Sequence, residues 1–343
     1  MSDDKKKLFS SNPGDKVKHQ QRDAKRLTLS RLSALSAMAL GVVLPKAFAQ
    51  NKAPAPGTLR IGFQKYGTLT LLKGTGALDK RLAALGVDVK WAEFPAGPQL
   101  LEGLNVGSID FGTTGEAPPI FAQAAGADLL YVGNEPPAPG GEAIVVPKNS
   151  PLKSIAELKG KKVALNKGSN VHYLLVKLLE KAGLNYKDVE TVFLPPADAR
   201  AAFERGSVDA WAIWDPFLAA AEKQIGARIL ADGKGVVSNH QFYLAARPYA
   251  QKNPEVLRIV LEELAKIDEW GAKNLKEVSS ILSTQIGLDN SIVELSTARF
   301  GFGVKPLTEQ VIREQQNIAD TFADLKLIPK RINIRDAVFT VKL

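Results

Sequence analysis

The sequence predicts an α/β layered fold completed by a helical C-terminal segment, and three features of its patterning predict it. Short apolar strands alternate with helical stretches from Leu59 to Ala246. From Pro248 onward, apolar residues recur at helical spacing only. Where strands end, helices begin almost at once, through turns rich in Gly, Thr, Ser and Pro. Alternation followed by a helical run is the pattern of helices layered on sheets.

Taken in order, Leu59 to Phe63 reads as a strand, and Thr68 as the cap of a helix from Leu69. A second helical piece, Leu78 to Leu85, stops at Gly86. Gly74-Thr75-Gly76 begins like a dinucleotide fingerprint but lacks its third glycine, so it reads as a loop. Val87 to Phe94 alternates as a strand, and Pro98 opens a helix through Leu104. Ser108 to Gly112 is the next strand, and the turn Thr113 to Pro119 leads into a helix over Ile120 to Ala125. Leu129 to Gly133 follows as a strand. The Pro/Gly-rich segment Asn134 to Gly141 then marks a domain edge.

Beyond that edge the pattern resumes. Ala143 to Val146 is a strand, and Ser154 caps a short helix ending at Lys159-Gly160. Lys162 to Leu165 runs through Lys167-Gly168-Ser169-Asn170 into a helix over Val171 to Ala182. Val192 to Leu194, a helix from Asp198 to Arg205, and Ala210 to Trp214 come next. Arg228 to Leu230 and Tyr243 to Ala246 are further strands. The tail is helical over Val256 to Ala272, Ser279 to Ile286, Ser291 to Thr297 and Thr308 to Leu325.

The junction Ala210 to Ala220 shows the recurring device most clearly. An apolar strand ends in Trp214, Asp215 takes an N-cap position and Pro216 the first helical position. Trp214 should wall a pocket, while Trp211, on the other face by alternation, should pack. Free N–H groups and the positive end of the helix dipole make such a junction suited to an anion. Three others have the same build: Gln64 to Thr68, Thr113 to Glu116, and Lys167 to His172. In open α/β sheets ligands gather at the carboxyl ends of strands, so these turns are expected to converge on one crevice.

Composition narrows the function classes. A 45% apolar and 24% charged content is ordinary for a globular protein. The formal charge of +9 is unevenly placed: residues 1–49 carry ten Lys/Arg against four Asp/Glu, a net +6, leaving 35 against 32, or +3, for the rest. That small remainder, with no basic–aromatic stripe, argues against nucleic acid. The basic leader, its apolar core Leu32 to Leu44 and Ala47-Phe48-Ala49 read as a signal peptide cut before Gln50, with the export route open. The core, about 13 residues, is short of the ~20 needed to span a bilayer. No cysteine is present, which excludes disulfides, thiolate catalysis and a lipid-anchored cysteine. A periplasmic, unanchored, soluble monomer is expected.

The chemical motifs of enzymes are missing. Three histidines, His19, His172 and His240, show no metal-ligand spacing, and no P-loop occurs. Ser169 and His172 lie at helical spacing without a nucleophile elbow, so an exported hydrolase is a lesser alternative. No metal and no cofactor is expected. Ser169, Asp215 and Glu116 can each also serve as helix caps or first-turn acids. If Glu116 lines the pocket, its N–H rather than its carboxylate should matter.

Several runs resemble the aliphatic sulfonate-binding proteins of ABC importers. They are Phe94-Pro95-Ala96-Gly97-Pro98-Gln99, Leu104 to Asp110, Pro118 to Asp128, Pro196 to Phe203, Asp209 to Pro216 and Phe242 to Ala250. The resemblance spans about Leu59 to Ile334 and extends to taurine- and nitrate-binding relatives. It implies a two-lobed periplasmic binding protein fold of type II, with two crossing hinge strands near Ala143 to Val146 and Tyr243 to Ala246. The first lobe would be residues 58–141 plus 247–343, and the second 142–246. It implies an alkanesulfonate ligand, or else taurine, nitrate or another small anion, and an inner-membrane ABC permease as partner. By position it implies ligand contacts from Gln64, Thr114, Gly115, Glu116, Ser169, His172, Trp214 and Asp215. Tyr66 to Thr68 and Asn170-Val171 depart from the pattern of the sulfonate-specific members, and both stretches lie in the presumed pocket.

Overall fold

The structure is a computed structural model that describes residues 57–342, so the expected signal peptide and its cut before Gln50 lie outside the described residues. Two five-stranded mixed sheets carry the fold. The first half of the chain supplies β1 (Thr58–Phe63), β2 (Asp88–Glu93), β3 (Phe111–Gly115) and β4 (Leu129–Asn134). Its helices are α1 (Gly67–Thr75), α2 (Ala77–Ala83), α3 (Gly97–Asn105) and α4 (Ala117–Ala124). The middle of the chain supplies β5 (Glu142–Val146), β6 (Lys162–Leu165), β7 (Glu190–Phe193), β8 (Ala210–Trp214) and β9 (Arg228–Asp232). Between them lie α5 (Asn170–Lys181), α6 (Pro196–Glu204) and α7 (Phe217–Ile225). The chain then returns through β10 (Gln241–Ala246) into α8 (Arg247–Lys252), α9 (Pro254–Lys273), α10 (Leu275–Ile286), α11 (Asn290–Thr297) and α12 (Glu309–Asp324).

The two sheets have one plan. Their strand orders are β2-β1-β3-β10-β4 and β7-β6-β8-β5-β9. In each, four strands run in one direction and the fourth position is an antiparallel strand delivered by a crossing of the chain. Residues 135–141 make the outward crossing and 233–240 the return. This corrects the expected second lobe: Gln241–Ala246 is hydrogen-bonded to β3 and β4 of the first sheet, so the return is complete before β10 begins. Hydrogen bonding along the strand decides this, and the apolar pattern of β10 does not reveal which sheet it joins.

Alternation sorts the cores as period-2 patterning requires. Ala210 and Ala212 face one side of the second sheet with Val171 and Leu175 of α5. Trp211 and Ile213 face the other with Phe203, so Trp211 packs in the core. The helical tail does not stay with one sheet. Val278, Leu282 and Val293 pack on Leu71 of α1, while Ile292 packs on Ala219 and Ala220 of α7.

Local details shift some expected elements. Thr68 is not a cap: it lies inside α1 and its hydroxyl donates to Glu135 Oε1 at 3.0 Å. The expected loop at Gly74 is the last turn of α1, closed by Gly76 at φ 65°. The third strand begins three residues later than predicted. Asp110 is drawn off by Arg60, whose Nε and Nη2 reach its two oxygens at 2.9 and 2.6 Å. Thr113 to Gly115 are therefore strand, not turn.

Candidate functional site

The carboxyl ends of β1, β3, β6 and β8 meet at one cavity between the sheets, with about 400 Å³ of space partly open to solvent. The first half contributes Gln64 and Tyr66 after β1, Gly97 at the start of α3, and Gly115 and Pro118 at the start of α4. The middle contributes Ser169 and Asn170 at the start of α5, and Trp214 at the end of β8. The crossings add Gly141 and Asn239, and β10 adds Gln241. No Lys, Arg, Asp or Glu lines it.

Its hydrogen-bonding power comes from neutral dipoles. The first N–H groups of a helix have no intrahelical partner, and no side chain caps α1, α3 or α5. Ser169, the residue preceding α5, turns its hydroxyl to the carbonyl of Asn166 at 2.7 Å. The N-termini of α1 and α5 therefore present free donors here, and α3 presents those not lost to Pro98. The other two junctions are already satisfied. At α4, Pro118 and Pro119 have no N–H, and the N–H of Ala117 is taken by Asn170 Oδ1 at 3.4 Å. At α7, Asp215 Oδ1 accepts from the N–H of Ala219 at 3.0 Å.

Four of the eight expected residues come together: Gln64, Gly115, Ser169 and Trp214. The Gln64 amide donates to the carbonyl of Thr113 at 3.1 Å. Trp214 is half-buried, edge-on to Phe217 at 6.0 Å. The other four do not line the cavity, each for a physical reason. Thr114 is a fully buried strand residue whose side chain packs behind Gly97. Glu116 turns its carboxylate away to the N–H of His240 at 3.0 Å and that of Asn239. Burial pushes its pKa up to about 8 against those two bonds.

His172 is fully buried, with Nδ1 accepting from the N–H of Gly168 at 3.2 Å and Nε2 against the Tyr186 hydroxyl at 2.7 Å. Burial, assisted by Lys167, lowers its pKa to about 4, so it is a neutral prop beneath the turn that carries Ser169. Asp215 is fully buried and faces Arg299 at 3.3 Å, which also binds Glu222 at 2.7 Å. Burial still pushes Asp215 up to about 7.

Sequence reasoning set Asn170 in the presumed pocket without naming it a ligand contact and missed Asn239; the two are joined here. Asn170 Nδ2 donates to Asn239 Oδ1 at 2.5 Å, and Asn239 Nδ2 donates to the carbonyl of Ala138 at 2.9 Å. Asn239 holds φ at 50°, a left-handed conformation that Asn tolerates better than most residues. Gly115 is what admits Asn170: a Cβ there would fall 2.0 Å from its Nδ2. An Asn at the start of α5 was visible in the sequence, but nothing local pointed it at a glycine 55 positions earlier.

Comparison with known proteins agrees with this architecture. A family model described as NMT1/THI5-like matches residues 83–270. The chain is 46% identical over 301 residues to an aliphatic sulfonates-binding protein of Escherichia coli K12, covering 87% of this chain and 94% of the relative. The solved alkanesulfonate-binding protein SsuA from Xanthomonas axonopodis pv. citri, bound to MOPS, superposes with a TM-score of 0.79 at 44% identity, over 84% of this chain and 100% of that one. The taurine-binding periplasmic protein of E. coli K12 is 28% identical over 177 residues, covering 50% of this chain and 54% of its own.

Proposed function

Because this chain belongs to the family of aliphatic sulfonate-binding proteins, we propose that it captures an aliphatic sulfonate in the cavity between its two sheets and delivers it to an ABC importer. The observation that carries this reading is the lining: three uncapped helix N-termini converge on a cavity lined by no Lys, Arg, His, Asp or Glu. A sulfonate is ionised at any physiological pH and offers three acceptor oxygens. Neutral donors hold such a group by charge-assisted hydrogen bonds, and each helix end adds roughly 0.3–1 kcal/mol.

Gln64, Gly115, Ser169 and Trp214 are the ligand contacts of this reading, joined by Asn170. Thr114, Glu116, His172 and Asp215 act behind them. Binding draws the two halves together about the crossings, as in hinge closure. The protein works in the periplasm as a monomer, after loss of a leader cut before Gln50, with an inner-membrane permease as partner. No covalent step is required of it. Ser169 and His172 do not form a nucleophile–base pair, since both nitrogens of His172 are engaged elsewhere.

Taurine is disfavoured by the same lining. Its ammonium would want a carboxylate; none lines the cavity, and Glu116 and Asp215 are turned to other partners. Calorimetry with alkanesulfonates, taurine, sulfate and nitrate tests the reading. Heat from the alkanesulfonates alone is expected, and binding of taurine or nitrate in preference to every alkanesulfonate would overturn it.

A further inference from the structure

The return crossing 233–240 has a second space behind it. Asn239 lines the cavity between the sheets, while Ser238 and His240 line a separate concavity together with Glu116 and with Glu314 and Gln315 of α12. It has about 690 Å³ of space, much of it open to solvent. Val236, Val237 and Ile318 give it an apolar side, and no Lys or Arg lines it. The crossing is thus a wall between two spaces of different character, with neutral dipoles on one face and carboxylates on the other.

The polar side of this second space is short of donors. Burial works against the charge of Glu314, but Gln310 and Ser238, donating at 2.9 and 3.2 Å, and His240 beside it hold its carboxyl below the ordinary range, so it is ionised. The carbonyl of Glu135 can only accept. It therefore assigns the proton of a neutral His240 to Nδ1, at 2.9 Å, and leaves the Nε2 lone pair facing Glu314 Oε2 at 3.3 Å. Glu116 Oε1 and Gln315 Oε1 are buried and have no hydrogen-bond partner among the described residues. The Gln315 amide cannot turn over to relieve this, because its nitrogen donates to the carbonyl of Glu116 at 2.6 Å. A protonated His240 would satisfy Glu314 and leave those two oxygens as they are. Burial, and after it the charge of Glu314, raise Glu116, so both carboxylates act on this space.

We propose that this space is a second binding site, for a small organic cation with N–H donors: a primary alkylammonium. Its head lies among Glu314, Glu116 and Gln315, and its short chain lies on Val236, Val237 and Ile318. An ammonium brings one positive charge and three donors, which is what the two acidic side chains and the two unpaired oxygens lack. A metal ion fits less well, since among the described residues no three His, Cys, Asp or Glu stand together as ligands. The inference rests on these residues alone, whichever anion the first cavity takes.

The test is calorimetry of the wild-type protein, with no sulfonate present, against the chlorides of n-butylammonium, tetramethylammonium and sodium at one ionic strength. n-Butylammonium is expected to bind with a Kd of about 1 mM, a modest affinity within reach of so small a ligand. Tetramethylammonium carries the charge but no N–H and should give no heat, and neither should sodium. Glu314→Gln and Asn317→Lys should each weaken n-butylammonium by about ten-fold or more. The first removes the charge, and the second places a tethered ammonium at the same space. Glu314 is one-third exposed and Asn317 is exposed, both on the outer side of α12, so a loss in either can be read against an unchanged melting curve. No heat from n-butylammonium at about 10 mM overturns the proposal. So does equal binding of tetramethylammonium, or an affinity within about two-fold of wild type in both variants.

Discussion

The two halves of the molecule share a strand order yet bring opposite materials to the cavity. Apart from the Gln64 and Tyr66 side chains after β1, the first half presents backbone and one proline ring, with Gly97, Gly115 and Pro118 where β2 and β3 lead into helices. The second presents side chains: the Ser169 hydroxyl, the Asn170 amide and the Trp214 indole. The same topology therefore makes a cradle on one side and a set of fingers on the other. What differs is only which residues stand at equivalent strand ends, and one contact, Asn170 against Gly115, joins the two.

The largest effect should come from filling the cradle. Gly115→Val places carbon where the Asn170 amide now lies, so the halves cannot meet as they do here. Sulfonate affinity should fall by about 100-fold or more, equivalent to ~2.7 kcal/mol. Binding within three-fold of wild type would show that the contact is incidental. Removing the finger is milder. Asn170→Ala frees the Ala117 N–H and the Asn239 amide together, and unpaired buried groups cost ~1–3 kcal/mol. Calorimetry should show a loss of about ten-fold, with a larger loss in Asn170→Asp, whose carboxylate would repel both the sulfonate and the Asn239 oxygen.

A third variant separates fingers from props. His172→Phe keeps an aromatic ring among Phe121, Phe193 and Phe322 but leaves the Gly168 N–H unpaired and the Tyr186 hydroxyl with Thr191 alone. Thermal unfolding should show lost stability of ~1–3 kcal/mol, with sulfonate affinity reduced less than in Asn170→Ala. A larger loss of affinity than of stability would place His172 among the ligand contacts after all.

The layer behind the cavity predicts a pH dependence. Burial pushes Glu116 up to about 8 and Asp215 up to about 7, and raises Glu142, both of whose carboxylate oxygens lack a partner. A carboxyl that holds its proton more tightly when folded stabilises the fold fully below its ordinary range. It loses that contribution as pH rises through the folded value. The melting temperature should therefore fall between about pH 5 and about pH 8.5. In Glu142→Gln, which cannot ionise, the fall should be smaller. The smallest effect concerns salt: with no cation in the lining, raising sodium chloride from about 0.05 to 0.5 M should change affinity less than about two-fold. A steep loss would mean that a lysine or arginine reaches the ligand.

Much of this was legible from residue order alone. Apolar alternation located nearly every strand to within a few residues, because period-2 burial writes itself locally. Strand–turn–helix spacing marks the four junctions, and the resemblance singles out Gln64, Gly115, Ser169 and Trp214 within them. Asp215, Glu116 and His172 were not separable from them, since a cap, a dipole-complementing acid and a ligand donor have the same sequence neighbourhood. Their placement depended on partners far along the chain: Arg299 for Asp215, the return crossing for Glu116, Tyr186 for His172.

The sequence by itself determined that this is a chain of strand–helix junctions without cysteine, because local spacing and composition suffice for that. Only the tertiary structure decided which junctions keep free donors, which sheet receives β10, and that Asn170 meets Gly115. Those outcomes turn on long-range hydrogen bonds and on the absence of a single Cβ, neither of which leaves a periodic trace in the sequence.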